Sequence, residues 1–120
     1  MLYFTGHKRV KELINEVQSK LKIGILPVVV EIEFFYKSAR EYGIEITKTR
    51  LISIKQLLIS NNVLQEKNSL LIGDIKLKNR SLSFVDAVLV MTAQKEKGKI
   101  ITTDTPVANV KKISSEKLSF

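Results

Sequence analysis

The chain has 120 residues, of which 44% are hydrophobic, and its Lys and Arg residues outnumber Asp and Glu by 20 to 12, a formal charge of +8. Cysteine is absent and His7 is the single histidine, so disulfides, thiolate metal sites and histidine-rich metal sites are excluded, and mainly oxygen atoms must hold any metal. The size predicts one domain over residues 1–120.

Two further expectations follow from composition. No apolar stretch is long enough to span a bilayer and the N-terminus lacks the order of a signal peptide, so we expect a cytoplasmic protein with no membrane partner. The excess of positive charge favours an anionic partner such as nucleic acid. Lysine-rich surfaces also serve solubility, so charge alone does not decide the partner.

The first half of the chain predicts alternating elements. Apolar residues at helical spacing predict a helix over residues 7–21, and "IGILP" predicts a short buried strand that closes at Pro27. A helix over residues 28–42 follows and stops at Gly43. The segments "TRLISIKQLLIS" (49–60) and "SLLIGDIKLKNR" (69–80) predict two more helices.

The second half contains the clearest unit. "SLSFVDAVLVMTAQKEKGK" (81–99) has a start signal, an apolar helix and a glycine stop, and "IITT" (100–103) predicts a strand of β-branched residues. "VKKISSEKLSF" (110–120) predicts a final strand. Helices and strands in alternation predict an α/β fold with a mostly parallel sheet, whose ligands bind at the carboxyl ends of the strands.

Two of the three aspartates, Asp86 and Asp104, lie at predicted ends of elements. Ser83 and Asp86 also have capping-box spacing, and Asp104 is compatible with a turn before Pro106. If the two carboxylates converge at one end of the sheet, they need a cation to remain ionised together, and Mg²⁺ or Mn²⁺ accepts oxygen ligands and acts on phosphates. The third, Asp74, is most simply a solvated helix residue.

The helix over residues 28–42 offers a third acid. Glu31 and Glu33 lie about 200° apart on a helical wheel, so at most one of them points into such a site. Both flank the apolar stripe, and helical phase does not choose between them.

The block "SLSFVDAVLVMTAQKEKGKIITTD" resembles the signature of PIN-domain proteins. It has a serine-containing turn, an aspartate that opens an apolar helix, and an apolar strand that ends in Thr-Thr-Asp. "PVVVEIEFFYKSAREYG" is similar to the family's helix that carries an acidic residue before aromatic ones. The resemblance covers about residues 20–110.

This resemblance implies a three-layer α/β fold and a Mg²⁺- or Mn²⁺-dependent endoribonuclease of the VapC toxin type that cuts single-stranded RNA. It also implies a homodimer restrained by a cognate antitoxin protein. The expected metal-site and catalytic acids are Asp86, Asp104 and Glu33, with Glu31 in reserve. Ser83 is expected to cap the helix that presents Asp86, and Thr102 or Thr103 to support the site through hydroxyl hydrogen bonds.

The chain departs from the family's pattern at its start. The family begins with a short apolar strand that carries an aspartate, and Met1 falls inside that region. We therefore expect the first strand to be missing or shortened, the first metal-site acid to be absent, and the nuclease activity to be weak or lost.

Two other interpretations remain open. The first is a non-catalytic PIN-like module that binds RNA or protein; it would bind RNA with a steep salt dependence and be indifferent to chelators. The second is a basic α/β domain in which Asp86 only caps a helix and Asp104 only makes a turn. In that case Asp86→Asn should cost about 1 kcal/mol or less of stability and reveal no effect of metal.

Overall fold

The computed structural model describes residues 8–102, 110 and 114–117. The chain divides into two compact units, Met1–Asn61 and Asn62–Phe120. Along the described residues, the helices and strands in chain order are α1 (Lys8–Gln18), β1 (Gly24–Pro27), α2 (Val28–Tyr42), α3 (Ile44–Leu57), β2 (Leu58–Asn61), α4 (Ser69–Lys78), α5 (Phe84–Glu96), β3 (Lys99–Thr102) and β4 (Ser114–Lys117). A short 3₁₀ turn at Glu66–Asn68 precedes α4.

The first unit contains a pair of parallel strands. β1 and β2 pair in a register that sets Gly24 opposite Leu58 and Pro27 opposite Asn61. α2 begins directly after β1 and packs against α3, so both helices lie in the crossover between the two strands. Among the described residues of this unit, the buried ones come from β1 and from the two packed helices, and they are Leu26, Pro27, Ser38, Thr47 and Ile54.

Gly43 joins α2 and α3 without a loop. Its φ of 91° lies in the region that side chains disfavour, and its amide donates to the Ala39 carbonyl at 2.9 Å. Its own carbonyl accepts from the Thr47 amide at 3.2 Å, so the same residue ends one helix and begins the next. The predicted helix over residues 28–42 and its glycine stop are confirmed.

The prediction of one helix over residues 49–60 was wrong at both ends. α3 begins earlier, at Ile44, because Gly43 serves as its first cap, and it ends at Leu57. Leu58 then takes an extended conformation, with φ −108° and ψ 145°, and opens β2. The apolar run that follows the helix pairs with β1, and this distant pairing outweighs the local helical pattern.

The second unit packs α4 against α5 and pairs β3 with β4 in parallel, with Lys99 opposite Ser114. Apolar side chains of the two helices and of the segments beside them form its core. Among the residues of this unit that the structure describes, the buried apolar ones are Val63, Ile72, Ile75, Leu82, Ala87, Val88, Val90, Met91, Ala93, Ile100 and Val110.

The remaining predicted elements agree with the structure apart from their ends. α1 stops at Gln18 rather than at residue 21, and Lys20 follows in a left-handed conformation with φ 62°. The mixture of helices with two parallel strand pairs confirms the α/β class. None of the helices among the described residues combines the length and the apolar character that crossing a bilayer requires.

Candidate active site

Asp86 lies in the first turn of α5, where Ser83 caps the helix. The Ser83 hydroxyl oxygen accepts a hydrogen bond from the Asp86 amide at 3.1 Å, and Ser83 itself is extended, with φ −72° and ψ 166°. The predicted cap is therefore present. The bond satisfies one of the amides that a helix start leaves without a partner, so it fixes the backbone from which the half-buried Asp86 side chain projects.

A tight turn joins α5 to β3, and from it we infer that the carboxyl end of the strand points toward the start of the helix. The helix of 13 residues is about 20 Å long, and only Lys97 and Gly98 separate it from β3. Lys97 adopts the left-handed conformation, with φ 52° and ψ 40°, and the Gly98 amide donates to the Ala93 carbonyl at 2.9 Å. With this tight turn the strand runs back along the helix that it contacts.

The strand ends at Thr102, whose backbone pairs with Lys117 of β4. The other two residues predicted at this end, Thr103 and Asp104, lie outside the described residues, and so does Pro106. The expected hydroxyl and carboxylate contacts of this segment therefore stay predictions.

Glu31 and Glu33 follow the carboxyl end of β1, in the first two turns of α2, but they have different surroundings. Glu31 pairs with Lys55 of α3 at 2.8 Å, and its side chain is only 17% exposed. Glu33 pairs with Lys37 of its own helix at 3.5 Å and is 39% exposed. The first pair joins two helices; the second is an exposed pair of the kind that contributes little.

The described residues do not bring three acidic or histidine side chains into one group that could hold a metal. Glu33 belongs to the first unit and Asp86 to the second. The donor chemistry does fit a hard divalent cation, because the candidate ligands are all carboxylates and cysteine is absent. Mg²⁺ and Mn²⁺ are the cations that such oxygen ligands suit.

Three residues around these acids carried no sequence prediction. Lys55 pairs with Glu31 from 24 positions away, which the local sequence could not indicate. Phe84, the first residue of α5, is 69% exposed, and the Lys76 ammonium lies 5.6 Å from the centroid of its ring. The sequence did offer one signal for Phe84, because it is an aromatic residue placed between the helix cap at Ser83 and the acid Asp86.

The family model described as "PIN domain" matches residues 4–113. No curated protein and no solved structure matches the chain. PIN domains are generally nucleases and typically use divalent metals. The match covers nearly the whole chain, including the capped helix with Asp86 and the strand before Asp104, and the chain belongs to the PIN-domain family.

Proposed function

We propose that this protein is a Mg²⁺- or Mn²⁺-dependent endoribonuclease of the VapC toxin type that cleaves single-stranded RNA, with the weakened activity expected of a site that has three acids instead of four. The observation that carries the proposal is the position of Asp86 in the capped first turn of α5, within a PIN match over residues 4–113. Asp104 follows β3 by two residues and is the second acid of the proposed site.

We choose Glu33 rather than Glu31 as the helix acid. Glu31 is largely buried in its ion pair with Lys55. If the Glu31 carboxylate bound a cation instead, this pair would break and Lys55 would lose its acidic partner. Glu33 has only an exposed pair with Lys37, which a cation can replace at little cost. Its sequence context, an acid before aromatic residues, also fits the family's pattern.

Each residue of the site has a separate task. Asp86, Asp104 and Glu33 would hold the cation through carboxylate oxygens, and Ser83 keeps Asp86 in place through the helix cap. A divalent cation supplies activation of water and neutralisation of the charge that develops on the phosphodiester. Lysine and arginine side chains of this basic chain bind the flanking phosphates.

The wider arrangement is also part of the proposal. We infer a three-layer sheet fold, a homodimer and a small antitoxin protein as the partner that restrains the enzyme. The support is the PIN family match together with the two pairs of parallel strands, each followed or preceded by helices.

The test is cleavage of end-labelled single-stranded RNA with Mn²⁺ or Mg²⁺. We expect chelator to abolish cleavage, and Asp86→Asn, Asp104→Asn and Glu33→Gln each to slow it by about 100-fold or more, because loss of a group that merely supports a metal site already costs 10- to 100-fold. The matched control is Asp74→Asn, which removes an exposed carboxylate paired with Lys78 on α4 and should leave the rate unchanged.

A second control separates the two glutamates. Glu31→Gln should lower the free energy of unfolding, because it breaks the pair with Lys55, and should leave cleavage by the folded protein intact. Thermal melts of all variants exclude loss of fold as the cause of a lost rate. Absence of cleavage by the unaltered protein, or cleavage that persists in chelator, would overturn the proposal and favour a non-catalytic PIN-like module that binds RNA or protein.

A further inference from the structure

We propose that the exposed ring of Phe84 is a stacking platform for one base of single-stranded RNA, and that the side chain of Arg80 binds the phosphate beside it. This inference rests on the proposed function, since it assigns how the same end of the second unit holds its substrate. It concerns residues that supply no metal ligand, so binding tests it separately from cleavage.

The exposure of Phe84 contrasts with its neighbours along the chain. Phe84 is 69% exposed, whereas Leu82 is 1% exposed and Ala87 is fully buried. The core of this unit therefore begins immediately around the helix cap, and the largest side chain of the segment stays outside it. A single exposed aromatic residue is common on protein surfaces, so its surroundings must carry the argument.

Lys76 links Phe84 to Arg80. Its ammonium group lies 5.6 Å from the centroid of the Phe84 ring and donates a hydrogen bond to the backbone carbonyl of Arg80 at 2.9 Å. The ring thus has a cation near it that the backbone helps to hold, and most of its surface faces solvent. The same ammonium therefore lies near both the ring and the backbone of Arg80.

Arg80 itself is exposed, and its guanidinium has no hydrogen bond or ion pair with any residue in the described part of the chain. One cation, the Lys76 ammonium, therefore lies near the exposed ring, and Arg80 provides a second cationic side chain in the segment between α4 and α5, four positions before Phe84. The single aspartate of α4, Asp74, is paired with Lys78 at 2.9 Å, so its negative charge is partly neutralised.

An exposed ring accompanied by cations matches the chemistry that binds single-stranded nucleic acid. Bases stack on aromatic side chains while basic groups follow the backbone, and this mode tolerates different bases. A paired and stacked duplex does not offer the face of a base, so the arrangement selects single strands. Phe84 and Asp86 lie about 200° apart around α5, on opposite sides of its first turn. A base stacked on Phe84 is therefore away from the reacting phosphate at Asp86, and we assign it to a neighbouring nucleotide.

The experiment uses the full chain, which contains no tryptophan, so Phe84→Trp introduces a single fluorescent reporter at the proposed platform. Short single-stranded RNA is titrated in chelator, where the proposed enzyme cannot cut, and binding is followed by RNA anisotropy and by tryptophan emission together. We expect the emission to be quenched over the same RNA concentrations that raise the anisotropy.

Truncation tests the ring itself. We expect Phe84→Ala to weaken RNA binding by roughly 5- to 150-fold, the range that loss of one stacked base gives, and Phe84→Leu, which keeps an apolar side chain without the ring, to weaken it nearly as much. Arg80→Gln should lower the slope of log affinity against log salt by about 0.7, the loss of one phosphate contact on a single strand.

Tyr42 provides the matched control, because it is 46% exposed and has the Arg50 guanidinium 4.4 Å from its ring centroid, on an element of the first unit. We expect Tyr42→Trp to show no quenching and Tyr42→Ala no loss of affinity. Quenching at Tyr42→Trp equal to that at Phe84→Trp would show unspecific contact and overturn the proposal.

The outcomes separate this inference from the proposed nuclease. The platform is overturned, and the nuclease is kept, if RNA binds and is cleaved but the tryptophan emission of Phe84→Trp is not quenched and Phe84→Ala loses no RNA affinity. The platform is supported, and the nuclease is overturned, if the tryptophan emission is quenched and the variants lose RNA affinity as expected but RNA is not cleaved in Mn²⁺. No RNA binding at all overturns the platform, and the ring would then serve another partner such as a protein.

Discussion

At the scale of single residues, two glycines occupy opposite situations, and the difference can be measured. A Cβ added to Gly24 of β1 would collide with the Cδ2 atom of Leu58 on β2, its partner in the register. A Cβ added to Gly73 inside α4 would meet nothing within 4 Å. Gly24 lets a large side chain approach the backbone of β1, whereas Gly73 only lowers the helical propensity of α4.

We expect Gly24→Ala to lower the free energy of unfolding by about 1 kcal/mol, because the half-buried Leu58 side chain must move aside to make room for the added methyl group. Gly73→Ala is the control, and it should raise the free energy of unfolding by about 0.5–1 kcal/mol, since alanine favours a helix and restricts the unfolded chain. Urea unfolding measures both. Equal effects of the two substitutions would contradict the close approach at Gly24.

At the scale of elements, the sequence predicts the helices and strands whose local sequence signals agree with the conformation they adopt in the folded chain. α5 has a serine cap, an apolar body and a glycine after its end, and it forms as expected from Phe84 to Glu96. β2 was missed because Leu58 and Ile59 continue an apolar pattern that also suits a helix, and only the pairing with Gly24 and Ile25 makes them a strand.

The residues of the candidate site also divide into those that the local sequence predicts and those that depend on another element. Ser83 and Asp86 could be read from four adjacent letters, because a cap depends on local backbone geometry. The difference between Glu31 and Glu33 could not, since it depends on Lys55 of another helix. The platform at Phe84 likewise depends on Lys76, which reaches it from α4. Sequence periodicity gives the face of a helix but not the side chains that arrive from elsewhere.

The packing of α2 on α3 includes a buried polar contact that fixes how the two helices meet. The hydroxyl groups of Ser38 and Thr47 are hydrogen-bonded at 3.1 Å, and the Thr47 oxygen also lies 2.9 Å from the Gly43 carbonyl oxygen. Both residues are less than 10% exposed. Because water cannot replace a lost partner there, each hydroxyl depends on the other.

We expect Thr47→Val to lower the free energy of unfolding by about 1–3 kcal/mol, because it leaves buried polar atoms without their partner. Ser38→Ala should cost a similar amount, and the double variant should cost less than the two single losses together, by about 0.5–3 kcal/mol of coupling. Chemical denaturation of the four proteins measures the cycle. Strict additivity would show that the two hydroxyls do not support each other.

At the scale of the whole molecule, charge and family membership act together. A net charge of +8 favours an anionic partner without selecting one, and the proposed base platform would add a preference for single-stranded RNA over a duplex. The PIN match extends from residue 4 to residue 113 and crosses the boundary between the two compact units at Asn61 and Asn62. We propose that the chain is one PIN-like domain of residues 1–120 that includes both units.

This proposal predicts a single cooperative unfolding transition in calorimetry, with equal calorimetric and van't Hoff enthalpies, because units that share one domain lose their structure together. Gly24→Ala in the first unit and Gly73→Ala in the second provide the probes. Each should shift the whole transition, the former to lower and the latter to higher temperature. Two transitions, each displaced by only one of the substitutions, would instead show that the units fold independently, and the acids proposed for one site would then belong to separately folding parts.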